Sequence, residues 1–303
     1  MIRNAVFNAL RGFCMGAADV VPGVSGGTMA LVLGIYTRLM YALRSFDLTL
    51  VRLLMKRDLG AAVRHVDLLL LLPLGVGIAA ALGFFTRIVP LPQLLQTDPE
   101  PIYGLFSGLV LASIAVLIRG LGRLRAGDLL AMAGGVLFGL VVVTRVPTNT
   151  PETAAFVFFS GMIAITAMLL PGISGSFILL ILRKYAYVFD AIGHLKLAIV
   201  LPFLAGCVAG VLVFSRTISW LLEHHQRRTL AAIVGILTAS MYVIWPFQER
   251  QYVIVREKSR LISSEPRLPV QSDDIVLTTV AVLIGFMLVL VLHHFAHRKT
   301  ADA

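Results

Sequence analysis

The chain has 303 residues, of which 58% are hydrophobic and only 14% charged, and its mean hydropathy is +0.90. Such a composition excludes a water-soluble domain and is that of a multi-spanning membrane protein. The formal net charge of +10 would suit a nucleic-acid partner, but its placement excludes one, because the basic residues lie in loops between apolar runs.

The first apolar region, residues 4–43, is split by the turn formers of ADVVPGVSGGTMA (18–30). Apolar runs long enough to cross a bilayer follow at 67–89, 101–118 and 127–144. A second split region occupies 154–192, and three more runs follow at 196–221, 229–246 and 275–293. The N-terminus lacks a short apolar segment followed by an Ala-x-Ala site, so no secretory signal is predicted and the spans themselves target the chain.

Basic residues alternate between loops. Arg44, Arg52, Lys56, Arg57 and Arg64 fill one, Arg119, Arg123 and Arg125 another, Arg227 and Arg228 a third, and Arg298 and Lys299 the tail. The intervening loops hold Asp98 and Glu100, or Glu152, or the charge-balanced stretch 247–274. The positive-inside rule then puts both termini and the basic loops in the cytoplasm.

Cys14 and Cys207 sit in apolar surroundings without partner spacing and read as structural thiols, with no disulfide or metal site. His293, His294 and His297 fall beside Arg298 and Lys299 with no carboxylate, which suits an interfacial tail rather than a ligand set. No metal and no cofactor is predicted.

The two split regions are copies of each other. Pro22, Gly23, Ser25, Gly26 and Tyr36 recur 149 residues later as Pro171, Gly172, Ser174, Gly175 and Tyr185. The repeat continues: Pro73, Gly77 and Arg87 match Pro202, Gly206 and Arg216, SGLVLAS (107–113) matches VGILTAS (234–240), and Asp128 with Gly139 matches Asp274 with Gly285. The predicted fold is therefore an all-α polytopic membrane protein of two repeats, 1–146 and 154–297. Each repeat is a broken, re-entrant-like helical hairpin plus three transmembrane helices. A hairpin returns to its own side and three spans change sides, so the second copy enters inverted, as in many secondary transporters.

Broken backbone at membrane depth is tolerated only inside protein or beside a water-filled cavity. Pro22 ends one half-helix and Ser25 can cap the next, leaving the amides of Gly26, Gly27 and Thr28 at a positive helix end that suits an anion. Ser174, Gly175 and Ser176 offer the same arrangement in the second copy. The competing reading is a pair of tight turns between short packed helices. No Gly-Lys-Ser/Thr follows, so this is no P-loop.

MGAADVVPGVSGGTMALVLGIY (15–36) and LLPGISGSFILL (169–180) resemble the polyprenyl-phosphate transporters, a bacterial membrane family. The resemblance covers essentially the whole chain. It implies an inner-membrane translocase that returns undecaprenyl phosphate to the cytoplasmic leaflet during cell-envelope and peptidoglycan recycling, not an enzyme. The residues alone lead only to an anion-handling transporter. A transporter or channel for small ions, or a membrane enzyme acting on lipid phosphates, remains open at that level.

Under the implied function the phosphate head is expected at Ser25, Gly26, Gly27, Thr28, Ser174, Gly175 and Ser176. Arg87 and Arg216, symmetry mates near the ends of equivalent spans, are candidate bidentate clamps or interface anchors. Arg38, four residues beyond Gly34 on the returning helix, is a secondary candidate. So are Arg183 and Lys184, as a phosphate gate at the outer mouth or as side chains that snorkel to the interface; at Arg183 the second copy departs from the glycine usual in the family. Asp19 follows Gly12 and Gly16 on one small-residue face, and its repeat equivalent is Met168. It is expected either to change charge or ion occupancy, coupling transport to protons or sodium, or to cap a helix near Pro22 or pair with a buried arginine.

Overall fold

A computed structural model of the chain describes residues 2–21, 24–89, 94, 97–145, 147–255, 258–269 and 272–301. Pro22 and Gly23, named above as the end of the first half-helix, lie outside the described residues, as do the side chains of Asp274, His294, His297, Arg298 and Lys299.

The first hairpin consists of α1 (Ile2–Val20), α2 (Gly26–Val32) and α3 (Tyr36–Arg44). The basic loop then folds as α4 (Leu48–Met55) and α5 (Leu59–His65), followed by α6 (Leu68–Arg87), α7 (Pro99–Leu121) and α8 (Ala126–Val143). The second hairpin is α9 (Ala154–Leu169), α10 (Gly175–Ile181) and α11 (Tyr185–Gly193). After it come α12 (Leu197–His224), α13 (Gln226–Ile244), strands β1 (Gln248–Val255) and β2 (Lys258–Pro266), and α14 (Ser272–Ala301).

Among the described residues five helices, Leu68–Phe85, Pro99–Leu121, Ala126–Val143, Leu197–His224 and Gln226–Ile244, are long and apolar enough to cross a membrane. Ala154–Leu169 and Ile275–Val291 are shorter apolar helices. Large apolar side chains such as Leu72, Val76, Leu130, Leu201 and Val208 stay exposed on these helices, as expected of surfaces that meet lipid rather than water.

Packing follows the same scheme in both halves. The long hairpin helix lies on the first span, α1 on α6 and α9 on α12, while α7 packs on α14 and α13 on α8. Glycine makes the first kind of contact close. A Cβ at Gly77 would fall on the carbonyl oxygen of Ala9, and one at Gly206 on that of Phe158. Small residues of this kind let helix backbones approach where lipid supplies no hydrophobic drive between helices.

Three features depart from the sequence reading. First, the returning arm of each hairpin is two helices instead of one. Gly34 with φ +68° and Arg183 with φ +50° occupy equivalent left-handed positions. The next amides, Ile35 N and Lys184 N, donate to Ala30 O at 2.9 Å and Leu179 O at 2.8 Å, closing α2 and α10 with Schellman-type turns. Arg38 therefore belongs to α3 and not to the helix that ends at Gly34. Second, α4 and α5 are helices within a segment read as loop; Asp47 accepts from the amides of Thr49 and Leu50, and Asp58 from that of Ala61.

Third, the all-α expectation omits an antiparallel hairpin in the stretch 247–274. β1 pairs with β2 from Gln248 opposite Pro266 to Val255 opposite Lys258, with an irregularity between Gln251 and Tyr252. The run YVIV (252–255) carries β-formers between charged neighbours, too polar on average to register as a span.

Candidate functional site

The two Pro-Gly-x-Ser-Gly turns touch. Ser25 Oγ of the first donates to Met168 O at 2.8 Å, and Gly172 N of the second donates to Thr28 Oγ1 at 2.9 Å. Gly27 lies so close to the second turn that a Cβ would stand 2.9 Å from Leu169 O and 3.0 Å from Met168 O. Ser25, Gly26, Gly27 and Thr28 are all buried in this contact.

The local reason is the break between α1 and α2. Ser25 is extended, with φ −126° and ψ 136°, and its hydroxyl accepts from Gly27 N at 3.1 Å. Asp19, partly buried near the end of α1, reaches across the break, and its Oδ1 accepts from Gly26 N at 2.7 Å. Thr28 N bonds back to Ser25 O at 2.9 Å. The amides of Gly26, Gly27 and Thr28 are thus all engaged within the protein, and an aspartate occupies the place where an anion was expected.

The second turn is built differently. Ser174 caps no amide of α10; its hydroxyl instead meets that of Ser176 at 2.8 Å. Met168 stands where the first copy has Asp19, so α10 starts without a carboxylate. A Cβ at Gly175 would meet Ala164 O at 2.6 Å. The fold is duplicated here, and the electrostatics are not.

The basic candidates lie elsewhere. Arg38 forms a two-pronged pair with Asp67, Nε to Oδ2 at 2.6 Å and Nη2 to Oδ1 at 3.0 Å. Arg216 donates to Leu212 O and to Phe46 O, both at 3.3 Å, which ties α12 to the end of the first hairpin. Its mate Arg87 is exposed at the end of α6 and has no ion pair among the described residues. Arg183 is exposed and donates to Asn149 Oδ1 at 2.7 Å.

Lys184 is 2% exposed, with its ammonium on Thr150 O at 2.9 Å and over the rings of Phe156 and Tyr187. A lysine so enclosed is a strut between α11 and the segment before α9. Among the described hydrogen bonds and ion pairs, none of these five residues reaches either turn.

Sequence reasoning missed the acceptor from the second hairpin, the carbonyl of Met168, and the close approach of Leu169 O to Gly27, because backbone groups carry no signal of residue type. It also missed Asn8, buried in α1, whose amide donates to Leu69 O at 3.1 Å while its oxygen accepts from Arg11 at 3.1 Å. Three buried hydroxyls, of Tyr36, Ser219 and Thr278, have no partner among the described residues.

Residues 15–262 match the family described as undecaprenyl phosphate translocase-like. A polyprenyl-phosphate transporter of Vibrio cholerae is 39% identical over 246 residues, 81% of this chain and 79% of that protein. A polyprenyl-phosphate transporter of Staphylococcus aureus is 31% identical over 271 residues, 79% of this chain and 86% of that protein. No solved structure matches. With five helices of spanning length and relatives named as transporters rather than enzymes, the chain is a multi-pass membrane protein and belongs to the undecaprenyl phosphate translocase-like family.

Proposed function

We propose that this chain moves polyprenyl phosphate across the bacterial inner membrane and returns its head to the cytoplasmic leaflet, with the phosphate handled where the two hairpin turns meet. The observation that carries the proposal is the Asp19–Gly26 bond. A helix start that holds a carboxylate in one conformation can hold a phosphate oxygen in another, since both are anions satisfied by the same amides and dipole.

Transport then requires the exchange of one anion for the other. Asp19 leaves Gly26 when its charge is neutralised by a proton or sodium, and the amides of Gly26 and Gly27 with the hydroxyls of Ser25 and Thr28 become available to phosphate. α10, which no carboxylate caps, supplies Gly175, Ser174 and Ser176 from the other side. The prenyl tail stays in lipid throughout. Arg87 and Arg216 would act before or after this step, near the ends of their spans, as entry or exit contacts. The two halves, 1–146 and 154–297, would be inverted in the membrane with both termini cytoplasmic; matching helix pairs and alternating loop charges support that arrangement.

A transporter of small anions is the second reading, favoured by the burial of Ser25, Gly26, Gly27 and Thr28 away from the lipid-facing surface. Vesicles holding the purified chain separate the two. Head-group translocation of a labelled polyprenyl phosphate, without flux of chloride or inorganic phosphate, is the expected result. Small-anion flux without lipid movement would replace the first reading with the second.

A further inference from the structure

Far in sequence from the hairpin turns, the starts of α8 and α13 and the end of α12 line an open cavity of about 580 Å³, with Arg125, His224, His225 and Arg228 all exposed. Its wall is basic: Arg125, Arg227 and Arg228 with His224 and His225, against Asp128 as its one acidic residue. Three arginines against one aspartate leave two positive charges in excess when both histidines are neutral.

That aspartate is already committed. Asp128, 2% exposed, accepts from Arg227 Nε at 2.7 Å and from Arg125 N at 2.9 Å, and Arg227 also donates to Arg123 O at 2.5 Å. The neighbouring Glu223 is taken by Arg44 at 2.6 Å. The guanidinium groups of Arg125 and Arg228 have no ion pair among the described residues, and Arg228 lies over the start of α8, its Nε 3.4 Å from where a Cβ of Gly127 would stand. The cavity thus holds Arg228 with no ion pair and Arg125 sharing the already paired Asp128, at the positive ends of helices of 18 and 19 residues.

Its depth is marked by Trp220. That ring is 50% exposed near the end of α12, stacked on His224 at 5.1 Å and edge-on to His225 at 5.6 Å. Half-exposed tryptophan at the end of a span belongs at head-group level, and basic pockets between spans at that level take phosphorylated lipid heads.

We propose that this cavity binds the phosphodiester head of an anionic phospholipid from the adjacent leaflet, at a site separate from the hairpin turns and independent of what they transport. Arg125 and Arg228 contact the phosphate, while the Arg227–Asp128 pair keeps the two helix starts together.

The chain has two tryptophans, so Trp245→Phe leaves Trp220 as the sole reporter. The full chain is placed in phosphatidylcholine nanodiscs containing rising fractions of brominated phosphatidylglycerol, with brominated phosphatidylcholine as the baseline. The expected result is saturable quenching of Trp220 by phosphatidylglycerol beyond that baseline. Arg125→Gln with Arg228→Gln raises the half-saturating fraction about tenfold, whereas Arg52→Gln with Lys56→Gln, which removes equal charge from another loop, leaves it unchanged.

Equal shifts in both double variants would overturn the proposal in favour of diffuse attraction. Relief of the quenching by millimolar inorganic phosphate at constant ionic strength would overturn it in favour of a soluble anion. Should the first double variant melt early in pure phosphatidylcholine, the single exchanges decide: Arg228→Gln weakens binding about threefold and Arg228→Lys does not, and equal effects of the two contradict the site.

Discussion

The Asp19 carboxylate and the Gly26 amide, seven residues apart, meet at 2.7 Å across the break between α1 and α2. This contact sets the charge at the junction of the hairpins. The second hairpin has no counterpart to it, because Met168 replaces the aspartate. A molecule with duplicated backbone therefore has one turn held by an internal anion and one without.

Substitution of the turn glycines separates the two environments. A Cβ at Gly26 meets Asp19 Oδ2 at 2.6 Å, the end of a side chain that can rotate, whereas one at Gly175 meets the backbone oxygen of Ala164 at 2.6 Å. Gly175→Ala is therefore expected to lower the melting temperature in detergent more than Gly26→Ala. The valine exchanges are expected to abolish carrier recycling at both positions. Normal recycling by well-expressed Gly26→Val and Gly175→Val proteins would reduce the turns to packing elements. Cys14→Ala and Cys207→Ala, away from the turns, are expected to be nearly silent in both assays.

Ser25 joins the two hairpins through its hydroxyl, donating to Met168 O while accepting from Gly27 N. Ser25→Ala removes both bonds and is expected to cost about 1–2 kcal/mol of stability. Thr28→Val removes the acceptor of Gly172 N, while Thr28→Ser retains it. Melting curves should rank Thr28→Ser above Thr28→Val, and Gly172 should lose protection from hydrogen exchange in the valine variant alone.

Tyr36 is 2% exposed, and its hydroxyl has no partner among the described residues. Burying a hydroxyl without a bond is unfavourable by about 1–3 kcal/mol, so Tyr36→Phe is expected to match or exceed the wild-type melting temperature. A fall in stability would mean that the hydroxyl has a partner in solution. A fall in transport with unchanged stability would place the hydroxyl on the transport path.

Arg87 and Arg216 match in sequence and differ in contacts. Arg216→Gln removes the link to Phe46 O and is expected to lower both stability and transport. Arg87→Gln removes no bond or ion pair among the described residues and is expected to affect transport alone. Equal melting losses in both would make the two residues interface anchors of the same kind.

Much of this architecture was legible in residue order. Five of the six long apolar runs fall on helices of spanning length, α6, α7, α8, α12 and α13, since hydrocarbon demands length and apolarity and little else, while the sixth falls within α14, whose apolar part, Ile275–Val291, is shorter. The breaks before Gly26 and Gly175 were legible because proline and glycine mark them twice.

The second break in each hairpin was not. Gly34 signals a left-handed turn, but Arg183 takes the same conformation without the residue type that announces it. The β-hairpin carries only the short apolar run YVIV (252–255) among charged residues, which apolarity alone does not mark. At the turns themselves the small residues were legible, but their partners, Met168 O, Gly172 N and the Gly26 amide beneath Asp19, are backbone groups whose positions only the fold decides.

The central claim is that Asp19 and the transported phosphate use the start of α2 in turn, and Asp19→Asn tests it most directly. Asparagine keeps an oxygen that can accept from Gly26 N and loses the charge whose neutralisation the proposed exchange requires. The measurement is head-group translocation of labelled polyprenyl phosphate in proteoliposomes, with and without imposed proton and sodium gradients, alongside phosphate-lipid binding to the same protein. The expected result is binding intact or tighter in Asp19→Asn and transport that no longer responds to either gradient. Wild-type rates with the gradient response preserved would contradict it, leave Asp19 as a helix cap, and move the coupling to another residue.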